Sequence, residues 1–171
     1  PELQKYISST RSPMFYTGEI ARQKYPNAKM VFVGPCIAKR KEARRDDMID
    51  FVMTFEEIHA IFEGMKIEMN GEQLHPIDVT AIRTAHGFGQ AGGVTAAVKA
   101  HVGGAIDFTT LQVSNLTKKN VALMRAFGKT GKAPAQFIEV MACEGGCISG
   151  PGVHTAYDTG RKTYNAELLK R

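Results

Sequence analysis

Lys29-Met30-Val31-Phe32-Val33-Gly34-Pro35-Cys36-Ile37-Ala38-Lys39 is the stretch from which the fold is read. Residues 29–33 form a short apolar run bounded by Asn27 and Gly34, which has the length and composition of a buried β-strand. The chain leaves that strand directly into a loop bearing a cysteine. A second stretch repeats the arrangement: Phe137-Ile138-Glu139-Val140-Met141 reads as a strand and runs straight into Ala142-Cys143-Glu144-Gly145-Gly146-Cys147.

Outward from these two strands, helix and strand signals alternate. Ser12 is a helix N-cap with Pro13 at the first helical position, so a helix is expected over Met14–Tyr25, ended by Pro26. Ile49–Met53 is another strand-like run. Thr54 and Glu57 form a capping box for a helix with Phe55, Ile58, Ile61 and Phe62 on one face and Gly64 at its end. Asn70-Gly71 within Lys66–Leu74 predicts a hairpin. The glycine-punctuated stretch Gly87–Gly93 leads into a helix over Val94–His101, a strand over Ile106–Leu111 and a helix over Thr117–Phe127. Such alternation predicts an α/β fold with a largely parallel sheet flanked by helices, because parallel neighbours need crossover helices. Sites in such sheets gather at the carboxyl ends of strands. Cys36, Cys143 and Cys147 are therefore expected to leave one edge of one sheet and to share one concave surface.

Composition narrows the chemistry. The 171 residues are 43% hydrophobic and 23% charged, which suits one sizeable core or two small lobes and excludes a disordered chain. No stretch approaches the roughly 18 apolar residues of a membrane helix, and no export leader opens the sequence. The chain opens at Pro1 in mid-segment, so a piece of something larger is expected. The net charge of +5 is concentrated in Lys39, Arg40, Lys41, Arg44 and Arg45. Without an aromatic stacking platform this cluster reads as a solvated face, and neither a nucleic-acid partner nor a membrane is expected.

Three cysteines, an odd number, do not make a disulfide framework and point to thiolate chemistry in a reducing cytoplasm. The paired Gly145-Gly146 suits a backbone wrapped closely around a metal cluster, with glycine amides donating to inorganic sulfide. Lys39 and its neighbouring arginines would offset thiolate charge. Zinc with His154 as fourth ligand is an alternative, on a spacing unusual for zinc. A radical-SAM loop would need a cysteine where Gly150 stands. An iron–sulfur cluster remains, and it normally takes four thiolates. Gly87–Gly93 lacks the Lys-Ser/Thr of a phosphate loop and reads as close packing. His59 is a boundary residue, His86 is a candidate for the crevice, and His75, His101 and His154 carry no signal of their own. Glu139 reads as a structural acceptor for the adjacent loop.

Four segments carry a family resemblance. Pro35–Glu42 (PCIAKRKE) and Glu139–Gly152 (EVMACEGGCISGPG) resemble the second and third signature motifs of the iron-only, or [FeFe], hydrogenase large subunit. Gly87–Val94 (GFGQAGGV) is similar to that family's Phe-Gly-x-x-Gly-Gly-Val segment, and Ser8–Phe15 (SSTRSPMF) to its Ser-Pro stretch. The first signature motif is absent and would lie before Pro1.

The resemblance implies the C-terminal lobe of that fold, residues 1–171 forming the C-terminal fragment of the large-subunit domain. It implies that Cys36, Cys143 and Cys147 are three ligands of the [4Fe-4S] part of the H-cluster, Cys147 bridging to the di-iron subcluster. Lys39 and the Ser12-Pro13 turn would meet cyanide ligands, Met141 and Phe88 would line the apolar pocket, and Glu42 and Ser9 would stand on the proton route. Dihydrogen and protons, a ferredoxin or other electron-transfer domain, and the N-terminal remainder of the same protein are the implied partners. Gly34 replaces a methionine common in catalytic members and Met14 a glutamine, while Glu144 and Ser149-Gly150-Pro151 also depart from the usual motif. The alternative is a noncatalytic relative, a hydrogen or redox sensor or an iron–sulfur assembly protein. The isolated chain is expected to evolve no hydrogen.

Overall fold

The computed structural model describes residues 2–68 and 83–170. The Asn70-Gly71 turn and His75 lie outside the described residues. The chain forms two compact units, one of Ser8–Ile77 with Gly150–His154, the other of Pro1–Ile7, Asp78–Ser149 and Thr155–Arg171.

In the first unit, α1 (Pro13–Lys24) begins as the sequence dictates: Ser12 Oγ accepts from Phe15 N and Pro13 takes the first helical position. Gly18 lets α1 approach the following chain, since a Cβ there would stand 2.9 Å from Ile49 and 3.2 Å from Met48. β1 (Val31–Val33) and β2 (Phe51–Met53) pair in parallel, Val31 opposite Phe51 and Val33 opposite Met53. The crossover between them is α2 (Ala38–Asp46). Asp50 anchors the start of this pair by accepting from Met30 N at 2.8 Å and from Arg22 at 3.0 Å. α3 (Phe55–Gly64) opens with both bonds of the Thr54–Glu57 capping box.

In the second unit, a four-residue helix α4 (Arg83–His86) and a 3-10 turn (Gly87–Gly89) precede α5 (Gly93–Val102). β3 (Thr110–Ser114) and β4 (Phe137–Met141) pair in parallel over five residues, with α6 (Lys118–Thr130) as the crossover. Thr117 caps α6 and Gly131, at φ +68°, ends it in the left-handed conformation. After a 3-10 turn (Cys147–Ser149) comes α7 (Tyr157–Leu169). Val113 and Phe127 are buried, and Phe127 also packs on Tyr6 with ring centroids 4.6 Å apart.

The fold class is as expected: all strand pairings among the described residues are parallel, with helices between the paired strands. Among the described residues these pairings fall in two two-stranded sheets, however, so there the Cys36 loop and the Cys143 loop leave different sheets rather than the one expected. The strand expected over 106–111 lies four residues later, because Val113, 2% exposed, is the side chain that the β4 register buries. Ile106 is 65% exposed and precedes the ladder. α2 and α7 carry too little apolar periodicity to be read from sequence. No helix among the described residues is long and apolar enough to cross a membrane.

Glu139, on β4 and 6% exposed, fastens the start of α5. Its carboxylate accepts from Gly92 N and Thr95 N at 2.8 Å each and from Thr95 Oγ1 at 2.6 Å. These donors include amides of a helix start, where a carboxylate is favoured. Glu139→Ala strands all three and is expected to lower unfolding free energy in urea by about 2–4 kcal/mol. Glu139→Gln, which keeps one acceptor oxygen, should fall between it and the parent. A loss near zero for Glu139→Ala would show that the carboxylate does not hold the helix.

Candidate functional site

The first cysteine loop follows β1 without a break. Gly34 N continues the ladder by donating to Met53 O at 3.0 Å, and Cys36 O accepts from Lys39 N at 3.3 Å as α2 begins. Cys36 thus stands at a helix N-terminus, where negative charge is favoured. The loop is also held by the segment 150–154: Gly152 N donates to Pro35 O at 3.1 Å, and a Cβ on Gly152 would lie 2.5 Å from Thr54 Cβ. The departure at position 34 has a local partner, since the Phe32 ring fills the space that a side chain at Gly34 would enter, 2.8 Å from its Cβ position. Met14, 5% exposed, lines an apolar cavity of about 240 Å³ with Pro13, Phe32 and Ile49.

Beside this loop the structure joins three of the expected site residues. Lys39 Nζ donates to Glu42 Oε2 at 2.6 Å, and Ser12 Oγ donates to Glu42 Oε1. Burial pushes the Glu42 carboxyl up, but the bonds from Lys39 and Ser12 and the charge of Lys39 outweigh it, leaving the carboxyl below the ordinary glutamate value. Ser9 is exposed and lies outside this cluster; the neighbouring serine, Ser8, accepts from Thr10 N at 3.1 Å.

The second cysteine loop belongs to the other unit, with Phe88 and Met141, both half-buried. Gly145 and Gly146 have φ of +70° and +102°, conformations open to glycine at little cost. Their amides are already engaged: Gly145 N donates to Ser114 Oγ at 2.8 Å and Gly146 N to Cys143 O at 3.2 Å. The expectation that these amides serve inorganic sulfide therefore fails, because the turn itself uses both donors. Ser149 Oγ donates to Glu144 O, closing the loop on its other side. Ala91 N donates to Gly145 O at 2.9 Å, tying the loop to the Gly87–Gly93 segment. Tyr164, which sequence reading missed, donates its hydroxyl to His86 O and accepts from Gly89 N at 3.1 Å. Burial raises its pKa, the Gly89 bond opposes this, and Cys147 adds to the rise, so the phenol stays protonated at neutral pH. Tyrosines seven apart in a helix, Tyr157 and Tyr164, were the available signal.

Cys36, Cys143 and Cys147 are half-buried, and none of them is in a disulfide. Among the described residues, no group of three His, Cys, Asp or Glu side chains is set to hold one metal ion. His154, the zinc alternative, has its Nε2 3.2 Å from Phe55 O and its ring against His59, centroids 4.9 Å apart. The basic cluster expected to offset thiolates is largely paired internally: Lys39 with Glu42, Arg40 with Glu57, and Arg45 and Arg11 with Asp46. By contrast Lys118, Lys119, Arg125 and Lys129 on α6 form no salt bridge among the described residues, and no acid occurs between residues 108 and 138.

A depressed carboxyl stabilises the fold fully above its unfolded pKa, near 4.5, and loses that contribution as pH falls through the folded value. Glu42→Gln should therefore be less stable than the parent at pH 7, with the difference shrinking below about pH 4.5. Denaturant titrations at pH 3 to 7 check this, and a difference independent of pH would contradict it.

Comparison with known proteins gives the family. A sequence profile of the family described as iron only hydrogenase large subunit, C-terminal domain, matches residues 1–151. Among curated relatives, the zebrafish (Danio rerio) cytosolic Fe-S cluster assembly factor narfl is 28% identical, over 86% of this chain and 48% of its own length. Iron hydrogenase 1 of Clostridium pasteurianum is 28% identical, over 89% and 34%. The periplasmic [Fe] hydrogenase large subunit of Nitratidesulfovibrio vulgaris is 28% identical, over 100% and 53%. The chain spans about half or less of the length of these relatives. In fold it is similar to a solved [FeFe]-hydrogenase from a study of oxygen inactivation, with a TM-score of 0.65 and 22% identity, over 98% of this chain and 60% of that one. A variant of the [FeFe]-hydrogenase HydA1 from Chlamydomonas reinhardtii matches with the same TM-score at 21% identity, over 99% and 61%. The chain belongs to the iron-only hydrogenase large subunit family, in its C-terminal domain.

Proposed function

We propose that this chain is the C-terminal part of an iron-only hydrogenase, binding the [4Fe-4S] and di-iron parts of the H-cluster for reversible oxidation of H2 to protons and electrons. The observation that carries the reading is the conjunction of two strand-end cysteine loops with the Ser12–Glu42–Lys39 cluster built beside the first. The donor set fits an iron–sulfur group: three half-buried thiols outside any disulfide, two of them on a turn whose glycines leave no room for side chains. Cys36, Cys143 and Cys147 would hold the cubane, and with only three cysteines in the chain a fourth ligand must come from elsewhere. When bound, the cluster would supply electron transfer and the heterolytic splitting of dihydrogen.

This chain's own residues would hold and order that group. Lys39 Nζ and Ser12 Oγ are donors suited to small anionic ligands, and Glu42 keeps both at hand by accepting one bond at each oxygen. A proton on Glu42 would displace one of these two bonds, so Glu42 could pass a proton only by releasing Lys39 or Ser12. Phe88 and Met141 would keep the pocket apolar. The proposed partners are a ferredoxin or other electron-transfer domain and the remainder of the parent protein. The proposed compartment is the cytoplasm, which suits cysteines outside disulfides; the named relatives include both cytosolic and periplasmic proteins.

A second reading, a noncatalytic iron–sulfur assembly or sensor protein, is favoured by two observations. Curated relatives named as assembly factors match as well as the hydrogenases do, and the family resemblance implies that Gly34 and Met14 depart from the methionine and glutamine of catalytic members. Anaerobic reconstitution with iron and sulfide should give the 171-residue chain a brown, labile chromophore. Cys36→Ser, Cys143→Ser and Cys147→Ser should each reduce its yield severalfold, and hydrogen-dependent dye reduction should be undetectable. Yields unchanged in all three variants would overturn the ligand assignment. In the full parent after maturation, dye reduction with infrared bands of bound carbonyl and cyanide supports the enzyme, while a cubane without such bands supports the assembly role.

A further inference from the structure

We propose that α7 is a clamp for the Cys143–Cys147 loop, with Tyr157 and Tyr164 as its positioning residues; this rests on the cluster reading above. The profile match ends at residue 151, so α7 (Tyr157–Leu169) lies wholly beyond the matched family domain. Tyr157 and Tyr164 are seven residues apart, two turns of helix, and so share a face. A Cβ on Gly145 would stand 2.3 Å from the Tyr157 hydroxyl oxygen and 2.4 Å from its ring, so this ring covers the loop backbone midway between Cys143 and Cys147.

The Tyr164 hydroxyl bridges His86 O and Gly89 N, closing the turn that bears Phe88. One position on, Asn165 Oδ1 accepts from Gln90 Nε2. The turn then passes the restraint to the cysteine loop: Ala91 N donates to Gly145 O, and a Cβ on Gly146 would lie 2.7 Å from Gly89 O. Helix, Phe88 turn and cysteine loop are thus locked through contacts that tolerate no added atom at Gly89, Gly145 or Gly146. Their consequence is a fixed spacing of the two thiols, so a cluster finds its ligands placed before it binds.

The test uses the whole chain. Tyr164→Phe removes only the hydroxyl, and Tyr157→Leu removes the covering ring. In the metal-free protein, iodoacetamide labelling of each cysteine is followed by peptide mass spectrometry, with Cys36 as internal reference. The clamp predicts that each substitution speeds labelling of Cys143 and Cys147 relative to Cys36 by about three- to tenfold. After reconstitution, loss of the visible chromophore to a chelator should quicken by a similar factor. Labelling ratios unchanged from the parent, even with a lowered melting temperature, would reduce α7 to an ordinary structural helix and overturn the proposal. Failure of the parent chain to take up iron and sulfide would instead count against the cluster reading, because the labelling ratios are measured without metal.

Discussion

A carboxylate taken out of water needs donors that travel with it, and Glu139 finds three at the start of α5. Because Glu139 sits two residues before the end of β4, the same bonds that start the helix also fix where the strand stops. The cysteine loop leaves from that point. Ser114, at the end of the paired strand β3, holds Gly145 N, and Ala91, just before the α5 start, holds Gly145 O. The loop is therefore defined from both sides by elements that Glu139 has already joined, and its left-handed glycines follow from that crowding.

The other cysteine loop is built on different chemistry. Around Cys36 the restraint is an ion pair and a hydroxyl: Ser12 and Lys39 converge on Glu42 from the start of α1 and from α2. Arg40, Arg45 and Arg11 meet Glu57 and Asp46 nearby. These exposed pairs contribute little to stability individually, but they settle which cations are engaged. Lys39 is committed to Glu42, while among the described residues Lys41 and Arg44 on α2 and Lys118, Lys119, Arg125 and Lys129 on α6 form no salt bridge, so the unpaired excess lies on both helices. A linear count of charge along the sequence placed that excess on α2.

What could be read from the sequence follows from how local each determinant is. The caps at Ser12 and Thr54 were legible, because a side chain three residues from its donor needs no tertiary information. Strand 137–141 was legible as a short apolar run broken only by Glu139. The helix α2 was not, because eight of its nine residues stay out of the core and only Ala43 is buried, leaving no stripe to detect. The strand near Ile106 was misplaced because apolar content there does not say which residue the partner strand will bury; Val113 won that position through register. Ser12, Lys39 and Glu42 each carried a family signal, yet their mutual engagement across thirty residues depends on packing. Tyr164 carried no family signal, only its seven-residue spacing from Tyr157, since its role is a hydroxyl bridging two main-chain groups seventy-five or more residues away.

We propose that Cys36, Cys143 and Cys147 ligate iron through sulfur, one thiolate short of a full cubane. Iron X-ray absorption on the anaerobically reconstituted chain addresses it most directly. The first shell should be dominated by sulfur, with one light-atom donor per cluster that added thiol replaces. A shell of nitrogen and oxygen, or a sulfur shell unaltered when all three cysteines are changed to serine, would contradict it.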